Sequence, residues 1–130
     1  MLKKRLLLAD DDIDDRNFFF DFFEDRLDIE LMPAAENGLE VIELLNSIRD
    51  EELPDLIILD HNMPRMNGKQ TLEFLKSTTR YAAIPIIIYS TYSSKQLIDE
   101  CSVSGASLVA TKPITYEAYQ IMMNQFLGLL

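Results

Sequence analysis

The chain has 130 residues, enough for one domain with a single hydrophobic core, and its 48% hydrophobic and 26% charged residues are ordinary for a soluble globular protein. The formal net charge is −10, and residues 10–30 hold ten acidic side chains against only Arg16 and Arg26. This charge excludes nucleic acid and anionic membranes as preferred partners, because both would repel it. The single cysteine, Cys101, forbids an internal disulfide and favours a reducing, cytoplasmic location.

Five short apolar runs alternate with segments of helical length. The runs are rich in Leu, Ile and Val without polar alternation, which is typical of parallel strands buried on both faces. They lie at 6–9, 29–34, 56–59, 84–89 and 108–110, and helices are predicted at 13–27, 37–49, 67–77, 93–103 and 115–127. Pro33 cannot donate a ladder hydrogen bond, so the second run is predicted to form an edge strand. The alternation predicts a doubly wound α/β domain.

The first predicted helix contains five phenylalanines between residues 18 and 23. At 100° per residue, the face that should pack on the core is shared by Ile13, Phe20, Phe23 and Leu27. Phe18 and Phe22 point away from that face, and two interpretations stay open for them. They either pack against the last helix or join an exposed apolar patch with it, since Glu117 is the only charged side chain in residues 115–130.

Polar side chains follow four of the five apolar runs at the point where each run ends. They are Asp10 with Asp11 and Asp12, Asp60, Ser90 and Lys112. In open α/β sheets, ligands bind outside the carboxyl ends of the strands, so these groups are predicted to form one site. Asp12 is expected to cap the first helix, and helix capping is also the alternative role for Asp10 and Asp11.

Carboxylates that converge in one site need a cation. Two of them ~4 Å apart repel each other by roughly 4 kcal/mol at an effective dielectric constant near 20. Oxygen ligands select a hard ion, and two or three carboxylates with water are typical of Mg²⁺ beside a phosphoryl group. Lys112 can neutralise phosphate oxygens and Ser90 can donate a hydrogen bond to one of them. This chemistry predicts attack by an aspartate on phosphorus, giving an aspartyl phosphate.

Four segments of the chain, in this order and spacing, resemble the receiver domain of two-component response regulators. They are Leu8-Ala9-Asp10-Asp11-Asp12, residues 56–68 (LIILDHNMPRMNG), residues 85–91 (PIIIYST) and Thr111-Lys112-Pro113. The resemblance covers residues 3–128 and implies a flavodoxin-like, five-stranded parallel sheet with strand order 2-1-3-4-5 and five helices. It implies a single receiver domain over 1–130, of the stand-alone chemotaxis type, that is not an enzyme but catalyses its own phosphorylation and dephosphorylation.

The resemblance also assigns roles to individual residues. Asp60 would be the phosphoacceptor. The Mg²⁺ ligands would be Asp10, Asp11, Asp60 and the backbone carbonyl of Asn62. Ser90 would be the switch hydroxyl, and Lys112 would pair with the phosphoryl group next to a cis Lys112–Pro113 bond.

Two positions depart from the family pattern, and they bear on signalling. Asn67 stands where an aspartate is usual, and Val109 stands where the switch aromatic is usual, three residues before Lys112.

The partners implied by the resemblance are a sensor histidine kinase or a histidine phosphotransfer protein. Output would be protein–protein contact or onward phosphotransfer, with a homodimer or a partner protein bound through the fourth and fifth helices.

Two other classes of protein share part of this pattern. A small phosphohydrolase of the haloacid dehalogenase type also uses a strand-ending Asp nucleophile and Mg²⁺, but it needs a second acid two residues later, where Asn62 stands. A flavodoxin-like cofactor binder needs a phosphate loop after the first strand, where three aspartates would repel the phosphate.

Overall fold

A computed structural model describes residues 3–130; the first two residues of the predicted 1–130 domain lie outside it. Its strands are β1 (Lys4–Ala9), β2 (Ile29–Leu31), β3 (Leu56–Asp60), β4 (Ile86–Ser90) and β5 (Leu108–Thr111). Its helices are α1 (Ile13–Phe23), α2 (Gly38–Asn46), α3 (Gly68–Ser77), α4 (Lys95–Val103) and α5 (Tyr116–Leu127), with a 3-10 turn at Asp50–Glu52. All strand pairs are parallel and the order is β2-β1-β3-β4-β5, which confirms the predicted fold class.

The strand β2 lies at the edge of the sheet, as Pro33 predicted. It is shorter than the apolar run that predicted it, because it ends at Leu31. Beyond that residue the chain keeps one isolated parallel bridge, between Ala9 and Ala35. This bridge holds the second βα connection beside the end of β1, and Asp10 donates its backbone N–H to the carbonyl of Ala35 at 2.9 Å.

Successive strand residues point to opposite faces of the sheet, so the core has two layers. One layer packs residues of α2, α3 and α4 against the sheet, including Cys101, which is a buried core residue. The other layer packs residues of α1 and α5 against the opposite face. The strands β3 and β4 are fully covered on both faces, and the side chains at their carboxyl ends are therefore held by a rigid frame.

The core-facing side of α1 differs from the prediction. Phe19 and Phe23 are buried, whereas Ile13 and Leu27 are 61% and 83% exposed. The helix ends at Phe23 rather than at residue 27, so Leu27 lies outside it. Its last turn carries Asp21 and no basic side chain, which is unfavourable at the negative end of a helix dipole. The predicted face is confirmed for Phe23 and for Phe20, which packs half-buried against the same core layer. It was wrong for Ile13 at the start of the helix and for Leu27 beyond its end.

Phe18 and Phe22 of α1 pack against Tyr119 of α5. The ring of Phe18 lies 5.9 Å from the ring of Tyr119, and the ring of Phe22 lies 6.3 Å from it. Met123 and Phe126 of α5 are each 1% exposed. Most of the apolar side chains of α5 therefore fill the core. Of the two interpretations, packing against the last helix is confirmed for Phe22, whereas Phe18 contacts Tyr119 and remains 50% exposed.

Candidate functional site

Three carboxylates converge at the carboxyl edge of the sheet. One oxygen of each of Asp10, Asp11 and Asp60 lies within 4.8 Å of the other two. Asp10 and Asp60 are buried, at 0% and 2% exposure, while Asp11 is open to solvent. The three residues follow β1 and β3, which are neighbours in the sheet, so the convergence predicted from the strand ends is present. Oxygen ligands of this kind fit Mg²⁺.

The loop after β3 turns sharply beneath Asp60. Asp60 Oδ1 accepts the N–H of Asn62 at 3.1 Å, and Gly68 donates its N–H to the carbonyl of His61 at 3.1 Å. A Cβ atom at residue 68 would lie 2.7 Å from the backbone oxygen of Asp60, so only glycine permits this close return. Asn67 caps α3 by accepting the N–H of Gln70 at 2.8 Å, so the substitution of asparagine for the usual aspartate keeps the cap.

Lys112 reaches the acid cluster from the loop after β5. Its Nζ lies 2.7 Å from Asp15 Oδ2, 3.1 Å from Asp10 Oδ2 and 3.4 Å from Asp60 Oδ2. Burial alone would lower the pKa of Lys112, but the hydrogen bond to Asp15 and the charges of Asp10 and Asp60 outweigh it and raise this pKa. The lysine therefore stays protonated and supplies a fixed positive charge beside Asp60.

The sequence-based prediction missed Asp15, the closest partner of Lys112. It lies in the first turn of α1, where acids are common because they favour the positive end of the helix. Asp12 accounts for the cap, accepting the N–H groups of Asp14 and Asp15, as predicted. Five acids among residues 10–15 were the available signal, but the sequence does not show which of them turns toward β5.

Burial raises the pKa of Asp60 to about 7, and the negative charge of Asp10 acts in the same direction. Lys112 and the N–H of Asn62 offset part of this rise. In the metal-free protein the Asp60 carboxyl is therefore partly protonated near neutral pH. A cation that binds the cluster has to displace this proton, so Mg²⁺ affinity should fall as the pH drops below 7.

Asp60 should also make the stability of the metal-free protein depend on pH. Because its pKa is raised in the folded state, its contribution to stability is full below about pH 4 and is lost as the pH rises through 7. We expect Asp60→Asn to raise the melting temperature at pH 8 by about 5 °C and to change it little at pH 4. Thermal denaturation in EDTA measures both values. Equal shifts at the two pH values would contradict the raised pKa.

Ser90 and Asn62 form a second polar group beside the acids. Asn62 Nδ2 donates to Ser90 Oγ at 3.1 Å, and Ser90 Oγ donates to the carbonyl of Tyr92 at 3.0 Å. Ser90 is fully buried at the end of β4, next to β3. The side-chain amide of Asn62, hydrogen-bonded to Ser90, therefore lies where the phosphohydrolase alternative requires a second acid.

Two further expectations concern the segment around β5. Val109 is half-buried and packs against the core layer of α2, α3 and α4. As a valine it has no aromatic ring that could turn between two positions. The expected cis Lys112–Pro113 bond was wrong, because none of the described peptide bonds is cis. The trans form is the one that an X-Pro bond favours, by about 0.5–1 kcal/mol.

Comparison with known proteins identifies the family. The family model for the response regulator receiver domain matches residues 6–124. The chemotaxis protein CheY1 of Helicobacter pylori is 30% identical over 124 residues, which cover 95% of this chain and 97% of that protein. The chain therefore belongs to the response regulator receiver domain family and is a signalling domain of a two-component system. The resemblance of the four segments is confirmed.

Other relatives carry the same domain in a longer chain. A protein-glutamate methylesterase/protein-glutamine glutaminase of Clostridium acetobutylicum is 35% identical over 115 residues, which cover 87% of this chain but only 32% of that protein. The chain thus spans about a third of the length of this relative. The response regulator domain of Thermotoga maritima CheB is 26% identical, with a TM-score of 0.78 over 98% of this chain and 93% of that one.

The fold is also similar to that of a phosphorylated cyanobacterial phytochrome response regulator, RcpA. The TM-score is 0.85 over 98% of this chain and 96% of that one, at 20% identity, which establishes a shared fold.

Within residues 3–130, every helix is too short or too polar to cross a membrane.

Proposed function

We propose that this chain accepts a phosphoryl group on Asp60 from a histidine kinase or a histidine phosphotransfer protein, in a Mg²⁺-dependent reaction. The observation that carries the proposal is the placement of Asp60. Its carboxylate is buried at the end of β3, within 4.8 Å of two further acids and 3.4 Å from the ammonium group of Lys112. A carboxylate in this setting is ionised, and so can act as a nucleophile, only when cations balance the negative charge of its neighbours.

In the proposed reaction an oxygen of the ionised Asp60 attacks phosphorus. The P–N bond of the donor phosphohistidine breaks, its electron pair leaves with the imidazole nitrogen, and a new O–P bond gives an acyl phosphate. Asp10, Asp11, Asp60 and the backbone carbonyl of Asn62 would hold Mg²⁺, which when bound offsets the negative charge of the phosphoryl oxygens. Lys112 and Ser90 would contact those oxygens, the first by charge and the second by a hydrogen bond.

A small phosphodonor tests this function without a cognate kinase. Incubation with acetyl phosphate and Mg²⁺ should add one phosphoryl group to the intact protein, detected by mass spectrometry. The added group should be labile to hydroxylamine, as an acyl phosphate is, and should not form in EDTA. A phosphoryl group that resists hydroxylamine, or one that forms equally well without Mg²⁺, would contradict the proposal.

We further propose that the 1–130 chain acts as one receiver unit in the cytoplasm and signals by protein–protein contact or onward phosphotransfer. Because Val109 has no ring to reorient, the signal has to reach a partner by another change at the surface. Val103 of α4 is 89% exposed and Ile121 of α5 is 62% exposed. These apolar side chains support contact through α4 and α5, with a second copy or with a partner protein.

Sedimentation with and without beryllofluoride, a phosphoryl mimic, tests the homodimer. We expect the sedimentation coefficient to rise with the mimic and Ile121→Glu to abolish the rise, because a buried charge at an apolar interface is costly. Leu39→Glu on α2 is the matched control, since Leu39 is an exposed apolar side chain on another helix. A sedimentation coefficient that stays monomeric in both states would exclude the homodimer and leave a heterologous partner.

A further inference from the structure

Tyr89 lies under the acid cluster, and the resemblance to receiver domains assigns it no role. It is the penultimate residue of β4 and pairs with Asp60 across the sheet. Its ring is 3% exposed and packs in the core layer of α1 and α5. Its hydroxyl donates a hydrogen bond to Asp10 Oδ2. A tyrosine that follows a run of isoleucines is predicted to be a core residue of a strand. The sequence does not show that its hydroxyl reaches a carboxylate.

The contacts of Asp10 show what this hydroxyl does. Asp10 Oδ1 accepts the N–H of Asp12 at 2.9 Å, and Oδ2 accepts Lys112 Nζ at 3.1 Å together with the Tyr89 hydroxyl. The ammonium group of Lys112 also lies 4.6 Å from the centroid of the Tyr89 ring, within the range of a cation–π interaction. One tyrosine therefore contacts both an acid and the lysine of the site.

We propose that Tyr89 is a positioning residue, whose hydroxyl fixes the buried carboxylate of Asp10 in the orientation that a divalent cation needs. The inference rests on the proposed Mg²⁺ site. Asp10 has no access to solvent, so a lost donor is not replaced by bulk water. Groups that hydrogen-bond to a metal-ligating carboxylate fix its orientation, and their removal typically costs about 10–100-fold in metal affinity.

The variant Tyr89→Phe keeps the ring and its contact with Lys112 and removes only the hydroxyl. We expect it to raise the dissociation constant for Mg²⁺ by about tenfold, measured by isothermal titration calorimetry on the unphosphorylated protein. Tyr81→Phe is the matched control. Tyr81 is 2% exposed in the opposite core layer, and its hydroxyl donates to Asn46 and accepts a hydrogen bond from Arg80 Nη1 at 3.0 Å. We expect Tyr81→Phe to leave Mg²⁺ affinity unchanged.

A double-mutant cycle with Asp10→Asn tests whether Tyr89 acts through Asp10. If it does, adding Tyr89→Phe to Asp10→Asn should lower Mg²⁺ affinity no further. Equal losses in the two backgrounds would overturn the assignment, and so would an unchanged affinity in Tyr89→Phe while the parent binds Mg²⁺. A parent protein that binds no Mg²⁺ would refute the proposed function and this inference together. Mg²⁺ binding by the parent therefore distinguishes failure of the proposed function from failure of the role of Tyr89 alone.

Discussion

Asp60→Asn is expected to reduce phosphorylation by acetyl phosphate to background, the largest effect of any single substitution in this chain. Asparagine keeps the size of the side chain and its acceptor oxygen for the N–H of Asn62, but its amide is not a nucleophile. The variant should stay folded, because it removes a buried charge rather than a packing contact. Mass spectrometry after incubation with acetyl phosphate and Mg²⁺ measures the result.

Asp14→Asn is the matched control for Asp60→Asn. Asp14 is an exposed acid in the first turn of α1, close to the site in sequence but outside the three-carboxylate cluster. The Asp14→Asn variant loses the same charge from the same acidic region, so it should be phosphorylated like the parent. If both variants lost the phosphoryl group, the general negative charge of this region, rather than a nucleophile at residue 60, would govern the reaction.

Asp11→Ala should give the second largest effect, a loss of Mg²⁺ affinity. Asp11 is the solvent-exposed member of the cluster, so it can ligate an ion directly without being needed for the core. We expect the dissociation constant for Mg²⁺ to rise by roughly 30-fold, which corresponds to about 2 kcal/mol. The metal-free variant should also melt at a slightly higher temperature than the parent, because one of three repelling carboxylates is gone.

Asp12→Asn serves as the control for the metal measurement. Asp12 is adjacent to Asp11 but accepts hydrogen bonds from the backbone of α1, and asparagine caps a helix about as well as aspartate. Its Mg²⁺ affinity should therefore stay near that of the parent. An Asp11→Ala protein that binds Mg²⁺ as tightly as Asp12→Asn would show that the ion is held elsewhere.

The sheet and the main residues of the site could be predicted from the sequence because both depend on simple periodicity. Uninterrupted apolar runs mark strands covered on both faces, and the polar residue that ends each run then lies at one edge of the sheet. Asp10, Asp60 and Lys112 were placed together by this argument, and the structure brings them within hydrogen-bonding or ion-pairing distance. Their residue types indicated the chemistry of an aspartyl phosphate, and the resemblance to receiver domains assigned the role of phosphoacceptor to Asp60.

The remaining features could not be predicted because they depend on orientation rather than on order along the chain. The buried side of α1 includes Phe19, which was not in the predicted set, and leaves Ile13 exposed, in a helix where five aromatic side chains give a weak pattern. Tyr89 and Asp15 reach Asp10 and Lys112 from another strand and from a helix. Such contacts follow from strand register and helix rotation, which the apolar pattern fixes only approximately.

The most direct test of the account is to locate the phosphoryl group. Borohydride reduces an aspartyl phosphate to homoserine, so protein treated with acetyl phosphate and Mg²⁺ can be reduced, digested and sequenced by tandem mass spectrometry. We expect homoserine at residue 60 and at no other aspartate. Homoserine at Asp10 or Asp11, with Asp60 unmodified, would contradict it.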